Sequence, residues 1–210
     1  MGDVIIKDLT PFRPYTLGLS RRATEWVMFA VSLLMMCSVH AIQITHLRHH
    51  RFCLTPQDDE GLSAQGRWWQ ALALGPIYPV RQHSAGLRYA GIRQRAWIYA
   101  GLFGISLLVL AAFAFFKLPV LQFHIIVMLI GHCQTAFFTG WIMHHDSPAD
   151  TPRTVRNPCI ARMTFNMLFH LEHHLFPRVP TSRLATLAVR IDQSDPHQSR
   201  YRVVNWTITQ

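Results

Sequence analysis

The sequence predicts an all-α integral membrane protein with two to three transmembrane helices and a histidine-rich helical cap on the cytoplasmic side. Three observations lead to this fold class. Half of the 210 residues are hydrophobic and only 15% are charged, which is typical of membrane proteins. Long uncharged stretches recur along the chain, and histidines cluster at the ends of those stretches.

Three stretches are uncharged and long enough to enter a bilayer. Residues 26–47 either span the membrane or lie half-sunk in its interface and return to the same side. Residues 97–116 and 120–143 also lack Asp, Glu, Lys and Arg. A helix of about 20 residues is about 30 Å long, which matches the hydrocarbon core. Only residues 117–119 separate the last two stretches, so we expect a tight helical hairpin.

The remaining elements lie outside these stretches. Residues 68–74 (WWQALAL) resemble an interfacial segment, because tryptophan favours the level of the lipid headgroups. Prolines between residues 148 and 158 predict an irregular loop. A last helix is expected from about Ala161 to Leu175, and it ends because Pro177 cannot continue it.

The distribution of arginine predicts the orientation. Residues 45–95 carry seven arginines against three acids, and the chain after Met143 carries eight against five. By the positive-inside rule, both segments lie in the cytoplasm and the hairpin turn lies outside. The net charge of +9 is therefore assigned to loops facing anionic lipid, and we expect no nucleic-acid partner. The four cysteines form no CxxC pair, which argues against iron–sulfur or Cys-zinc sites and gives no disulfide framework.

Two copies of an HxxHH pattern carry the strongest functional signal. On a helix, positions i, i+3 and i+4 share one face, so each copy turns three imidazoles towards one point. Neutral imidazole is the commonest protein ligand for transition metals. The two copies are His46, His49 and His50, and His170, His173 and His174.

His144 and His145 follow the third apolar stretch and bring the number of candidate ligands to eight. One of the two is an expected ligand, while the other bonds a carboxylate such as Asp146. Eight imidazoles exceed the needs of one zinc ion and predict a two-metal centre. An all-nitrogen ligand set favours iron, zinc or copper over magnesium or calcium.

Other polar residues receive individual predictions. Asn166 lies on the same face as His170 if the last helix is continuous, where it would bond a metal-bound water. His40 becomes an extra ligand only if its helix ends or bends before His46. His132 either serves the substrate channel or bonds a backbone carbonyl, and intramembrane ionisable groups are often functional. His124 is expected to be structural, and His83 and His197 solvated.

These residues resemble a known family. Residues 45–51 (THLRHHR) with 58–61 (DDEG) are similar to the middle histidine box of the membrane fatty-acid desaturase superfamily, which includes carotenoid ketolases and hydroxylases. Residues 152–158 and 166–180 are similar to its C-terminal box. We expect one membrane domain over residues 1–210, with a family-like region at 17–185, a divergent N-terminus at 1–16 and a tail at 186–210.

The resemblance implies a non-haem di-iron enzyme that uses O₂ to oxidise a lipid chain, with desaturation as the leading reaction. It implies that both HxxHH triplets are ligands and that one of His144 and His145 is a further ligand. Its electrons would come from a separate electron-transfer protein, because the sequence has no haem motif, ferredoxin cysteines or nucleotide loop.

One departure from the family pattern bears on activity. The family carries a first histidine box about thirty residues before the middle one, and residues 10–16 (TPFRPYT) contain no histidine. Three explanations remain open: a truncated N-terminus, a degenerate enzyme that has lost a metal, or a variant centre that recruits His40. Alternative functions are a carotenoid-type hydroxylase or ketolase, a zinc-dependent membrane hydrolase, and an inactive lipid-binding relative.

Overall fold

The structure is a computed structural model that describes residues 19–148 and 152–195, together with residues 197 and 202. Within these residues the regular elements are helices, and the β contact between Thr154 and Arg202 is an isolated bridge. The all-α prediction is therefore confirmed. Residues 10–16, which contain no histidine, lie outside the described residues.

The chain forms ten α-helices over the described residues, joined in part by 3₁₀ turns and π-helical segments. The α-helices are α1 Arg21–Met35, α2 Val39–Phe52, α3 Trp68–Leu74, α4 Tyr78–Tyr89, α5 Ile92–Leu110, α6 Pro119–Thr135, α7 Ile142–His144, α8 Pro158–Met163, α9 His170–Leu175 and α10 Thr181–Ser194. The 3₁₀ turns are Gly61–Gln65 and Gly75–Ile77, and the π segments are Ala111–Phe115 and Ala136–Trp141.

Two continuous helices are long and apolar enough to cross a membrane. They are Ile92–Phe115, of 24 residues, and Pro119–His144, of 26 residues, and each includes one π segment. At about 1.5 Å per residue both exceed a hydrocarbon core of about 30 Å, so they can tilt or extend into the headgroups. Phe103 and Phe123 are exposed on them, as expected for lipid-facing side chains. The predicted hairpin is confirmed.

The first apolar stretch is bent rather than straight. α1 and α2 meet at an angle of 101° and count as a third candidate span only if the pair is taken together. Met36 ends α1 in the left-handed conformation, with φ 53°, and Ser38 caps α2. The imidazole Nε2 of His83 accepts a hydrogen bond from the Ser38 N–H at 2.9 Å. The expectation that His83 is solvated is therefore wrong, because this half-buried ring supports the bend.

The predicted continuous helix from Ala161 to Leu175 is also wrong. α8 ends at Met163 and α9 begins only at His170. Asn166 adopts the left-handed conformation, with φ 61°, and its N–H bonds the Ala161 carbonyl at 2.8 Å. Asparagine tolerates this conformation better than most residues. The reversal lets Phe169 pack in a buried cluster with Ala161, Leu184 and Ala188, so α10 covers the turn.

Two glycines allow close approach near the end of the second spanning helix. A Cβ on Gly140 would lie 1.9 Å from Ser63 Oγ, and a Cβ on Gly75 would lie 2.0 Å from the Cys133 carbonyl oxygen. Any larger residue would push the 3₁₀ turns away from this helix. The close contact helps fix the helix end that carries His144.

Candidate metal centre

Seven histidines from three parts of the chain converge at the ends of α2, α7 and α9. Their ring nitrogens form two groups in which every ligand atom lies within 4.8 Å of the others. The three-histidine group is His46, His50 and His173, and the four-histidine group is His49, His144, His170 and His174. Because α2 contributes to both groups, the groups are neighbours: the His50 and His174 ring centroids are 4.4 Å apart.

The three-histidine group is a triangle of Nε2 atoms. His46 and His173 are 3.0 Å apart, His46 and His50 3.1 Å, and His50 and His173 2.9 Å. A neutral imidazole nitrogen either donates a proton or accepts one, and it cannot do both. Three nitrogens in mutual contact cannot alternate donor and acceptor, so at least one contact joins two like atoms. A cation facing three lone pairs resolves this conflict.

The four-histidine group is more buried. His49, His144 and His170 are buried, whereas all three members of the other group are half-buried. His144 Nε2 lies 2.8 Å from His170 Nε2 and 3.2 Å from His49 Nε2. His174 Nε2 lies 3.3 Å from His49 Nε2. Four imidazoles whose Nε2 atoms face each other, three of them buried, have the chemistry of a metal site.

The spacing of the nitrogens also fits a metal. Zinc–imidazole bonds are about 2.0–2.1 Å long, so two ligands on one ion lie about 2.9 Å apart at a right angle and about 3.4 Å apart at the tetrahedral angle. The contacts in the two groups range from 2.8 Å to 3.3 Å. The residues present therefore fit first-row transition metals that prefer imidazole.

Two carboxylates contact the Nδ1 atoms of the α2 histidines, whose Nε2 atoms face the other ligands. His49 Nδ1 lies 2.8 Å from Asp58 Oδ2, and His46 Nδ1 lies 3.1 Å from Glu60 Oε2. A carboxylate on Nδ1 favours the tautomer whose Nε2 carries the lone pair, which is the usual arrangement behind metal-binding histidines. Glu60 is itself fixed by hydrogen bonds from Thr45 Oγ1 and Gln82 Nε2.

The protonation states of the carboxylates and of His173 fit this arrangement, whereas the hydrogen bond and charge of Asp58 raise the pKa of the His49 imidazole despite its burial. Burial raises the pKa of the Asp58 and Glu60 carboxyls, but the hydrogen bonds and charges of His49 and His46 outweigh it, so the net pKa of each is lowered. Burial, followed by the charges of His46 and His49, lowers the pKa of His173 to about 4. At neutral pH the carboxylates are charged and the His173 imidazole is neutral, as a metal ligand must be.

A buried ion-pair network anchors α9. Glu172 is fully buried, and it accepts hydrogen bonds from Thr154 Oγ1 at 2.7 Å and Arg156 Nε at 2.6 Å. Arg156 Nη1 also bonds Asp192 on α10 at 2.5 Å. Glu172 therefore points away from the ligand face of its own helix and ties that helix to the preceding loop and to α10.

The other predicted site residues lie apart from the two groups. His145 Nδ1 donates a hydrogen bond to the Ala64 carbonyl oxygen, 3.0 Å away, and its Nε2 lies 3.2 Å from Asp146 Oδ2. Its ring stacks on Trp141. The Asn166 side chain donates to the Thr181 carbonyl at 3.1 Å and lies on a turn rather than on the face of α9. The predicted shared stripe with His170 is wrong because the helix is interrupted.

The intramembrane histidines bond neighbours other than the ligand groups. His40 Nε2 lies 2.9 Å from Glu25 Oε2, and its ring stacks on Trp97. His132 Nε2 contacts the Met35 carbonyl at 2.6 Å, as the backbone-carbonyl alternative predicts. His124 Nε2 contacts the Leu34 carbonyl at 2.8 Å. Both contacts join the second span to the end of α1.

Sequence reasoning assigned no role to Asp58, Glu60 or the Glu172–Arg156 pair. One signal was available, since residues 58–60 are the only acids between Glu25 and Asp146. Cys53 is also nearby: its Sγ lies 3.9 Å from His49 Nε2, and it forms a third candidate group with His49 and Asp58.

Comparison with known protein families identifies the family of this chain. A family model described as fatty acid desaturase matches residues 15–205. The chain therefore belongs to the fatty acid desaturase family, and the predicted resemblance is confirmed. Neither a curated protein nor a solved structure matches the chain.

Replacing Asp58 with asparagine is expected to weaken metal binding about 10–100-fold, because the partner that orients His49 loses its charge. Titration of metal-free protein with a divalent metal measures the affinity. Asp59→Asn is the matched control, since the neighbouring Asp59 contacts neither histidine group. Equal affinities for the two variants would contradict the assigned role of Asp58.

Proposed function

We propose that this protein oxidises a lipid acyl chain with O₂, most simply by desaturation, at a non-haem di-iron centre. The proposed ligands are the seven histidines of the two groups: His46, His49, His50, His144, His170, His173 and His174. The lipid substrate follows from membership of the fatty acid desaturase family. The proposed electron source is a separate electron-transfer protein.

The single observation that supports the proposal is the convergence of two histidine groups at the end of an apolar hairpin. A zinc hydrolase needs one metal with an open position and a water-activating base. Here seven imidazoles form two groups. The nearby carboxylates of Asp58 and Glu60 are hydrogen-bonded to the Nδ1 atoms of His49 and His46. The acids therefore serve to orient ligands, which favours a two-metal redox centre.

When bound, the irons supply the oxidising chemistry that an unactivated C–H bond requires. The residues of this chain supply the surroundings. Asp58 and Glu60 fix the tautomers of the α2 histidines, and Glu172 fixes the orientation of α9. The burial of His144 and His170 excludes bulk water from the four-histidine group. The apolar hairpin is proposed to form one wall of the channel for the lipid chain.

A direct test is reconstitution of the full chain with iron, O₂, a chemical or protein electron donor and lipid vesicles, followed by mass spectrometry of the lipids. The expected product is a lipid whose acyl chain has lost two hydrogens. Addition of one oxygen would instead indicate the hydroxylase alternative, and addition of one oxygen with loss of two hydrogens the ketolase alternative. One bound zinc with lipid hydrolysis would indicate the hydrolase. No bound metal and no product would identify an inactive lipid-binding relative.

The absence of a first histidine box bears on the three-histidine group. That group has fewer imidazoles than its neighbour and is more exposed. His40 is not part of either group, because Glu25 and Trp97 hold its ring elsewhere. The variant centre that recruits His40 therefore has no geometric support.

We further propose that the histidine cap faces the cytoplasm, as the arginine-rich loops indicate. Cys159 is exposed on α8 and serves as a reporter. A membrane-impermeant maleimide is expected to label it in inverted vesicles and not in intact cells.

The matched control moves the reporter to the hairpin turn. Phe116→Cys in a Cys159→Ser background places a thiol at a 70% exposed position between the two spans. This variant is expected to react in intact cells. Labelling of Cys159 from outside would refute the proposed orientation.

A further inference from the structure

A basic cavity lies between the N-terminal ends of α1 and α5, apart from both histidine groups. Its volume is about 370 Å³. Its walls combine three guanidinium groups, two indole rings and one carboxylate, from Arg21, Arg22, Arg93, Trp26, Trp97 and Glu25. Nothing in the proposed oxidation chemistry uses these side chains.

The cavity has an excess of positive charge. Among the described residues, Arg22 and Arg93 form no ion pair, and Arg21 Nε reaches Glu25 only at 3.9 Å. The other oxygen of Glu25 is held by His40 at 2.9 Å. Three guanidiniums thus face one carboxylate that is already engaged. Guanidinium groups bind phosphate in a bidentate manner.

The cavity lies where lipid headgroups are expected. Arg93 is at the start of the first spanning helix, and the hairpin returns the second span to the same membrane face, where it ends at His144. Trp26 and Trp97 contact each other edge to face, with ring centroids 5.1 Å apart. Paired tryptophans beside arginines at a helix end are typical of the membrane interface.

We propose that this cavity binds the phosphate headgroup of an anionic membrane lipid. Basic pockets between transmembrane helices bind anionic headgroups in this way. The bound lipid bridges α1 and α5, two helices that pack against each other along Ser32 and Gly101. The proposed lipid site shares no residue with the two histidine groups, so a test of lipid binding is independent of the proposed oxidation.

The test is native mass spectrometry of the full chain in neutral detergent, titrated with phosphatidylglycerol or phosphatidylcholine. We expect the wild type to prefer phosphatidylglycerol. The double variant Arg22→Gln/Arg93→Gln is expected to lose about 30-fold in affinity for it, from about 1 kcal/mol per arginine at 1.4 kcal/mol per tenfold. Affinity for phosphatidylcholine should not change.

The control removes one arginine charge outside the cavity and is compared with each of the single variants Arg22→Gln and Arg93→Gln. Arg81→Gln alters an exposed arginine on α4 that does not line the cavity. This variant should keep the wild-type preference. Equal losses in Arg81→Gln and either single cavity variant, or no preference in the wild type, would overturn the proposal. Equally tight binding of soluble glycerol phosphate would overturn the assignment to a membrane lipid. Helix content by circular dichroism checks that each variant is folded.

Discussion

His144→Ala is expected to lose the metal ion of the four-histidine group, which is one of the two proposed ions, whereas His145→Ala keeps both. The two histidines are adjacent in sequence, and both were candidate ligands. His144 Nε2 lies 2.8 Å from His170 Nε2 and is buried in the four-histidine group. His145 instead contacts the Ala64 carbonyl and Asp146. Removing one of four imidazoles leaves an incomplete ligand set, while removing His145 leaves both groups intact.

The measurement is the metal content per chain after loading with iron and removal of excess metal. Thermal unfolding of each metal-free variant controls for loss of fold, because His145→Ala also gives up its stacking on Trp141. Equal metal content in the two variants would contradict the assignment of His144, and not His145, as a metal ligand.

Arg156→Leu is expected to destabilise the protein by about 3–5 kcal/mol, because it leaves a buried carboxylate without its charged partner. Glu172 is fully buried, and the Arg156 side chain is only 10% exposed. The same substitution removes the bond from Arg156 to Asp192, which loosens the attachment of α10 to α9, although Asp192 keeps its pair with Arg202. We therefore expect weaker metal binding as well, because His170, His173 and His174 lie on α9.

Chemical denaturation in detergent measures this stability change. Arg162→Leu is the matched control, since Arg162 is exposed on α8 and forms no ion pair among the described residues. A variant pair Arg156→Leu/Glu172→Leu tests the cause, because it removes the orphaned charge and should recover part of the lost stability. Equal stability of the Arg156 and Arg162 variants would refute the role of the buried pair.

Local patterns in the sequence predicted much of the fold. The hairpin followed from two uncharged stretches separated by three residues, and the structure has the corresponding spans. Each HxxHH triplet lies on a helix, as its spacing requires. These features depend on residues that are close in sequence, which is why the sequence alone could indicate them.

The features that the sequence did not reveal depend on distant contacts. The interruption between α8 and α9 follows from burial of Phe169 against α10, which helix propensity does not register. The choice of His144 over His145 depends on which side of the chain at α7 faces α9, since His144 contacts His170 while His145 contacts Ala64. The pairing of Asp58 with His49 needs the loop after α2 to fold back on it, which spacing alone does not fix.

The most direct test of the account is X-ray absorption spectroscopy of iron-loaded wild-type protein together with its iron content. Two neighbouring histidine groups predict about two iron ions per chain, each with nitrogen-rich imidazole ligation. A single ion bound mainly by oxygen, or protein that retains no iron, would contradict a two-metal centre assembled by α2, α7 and α9.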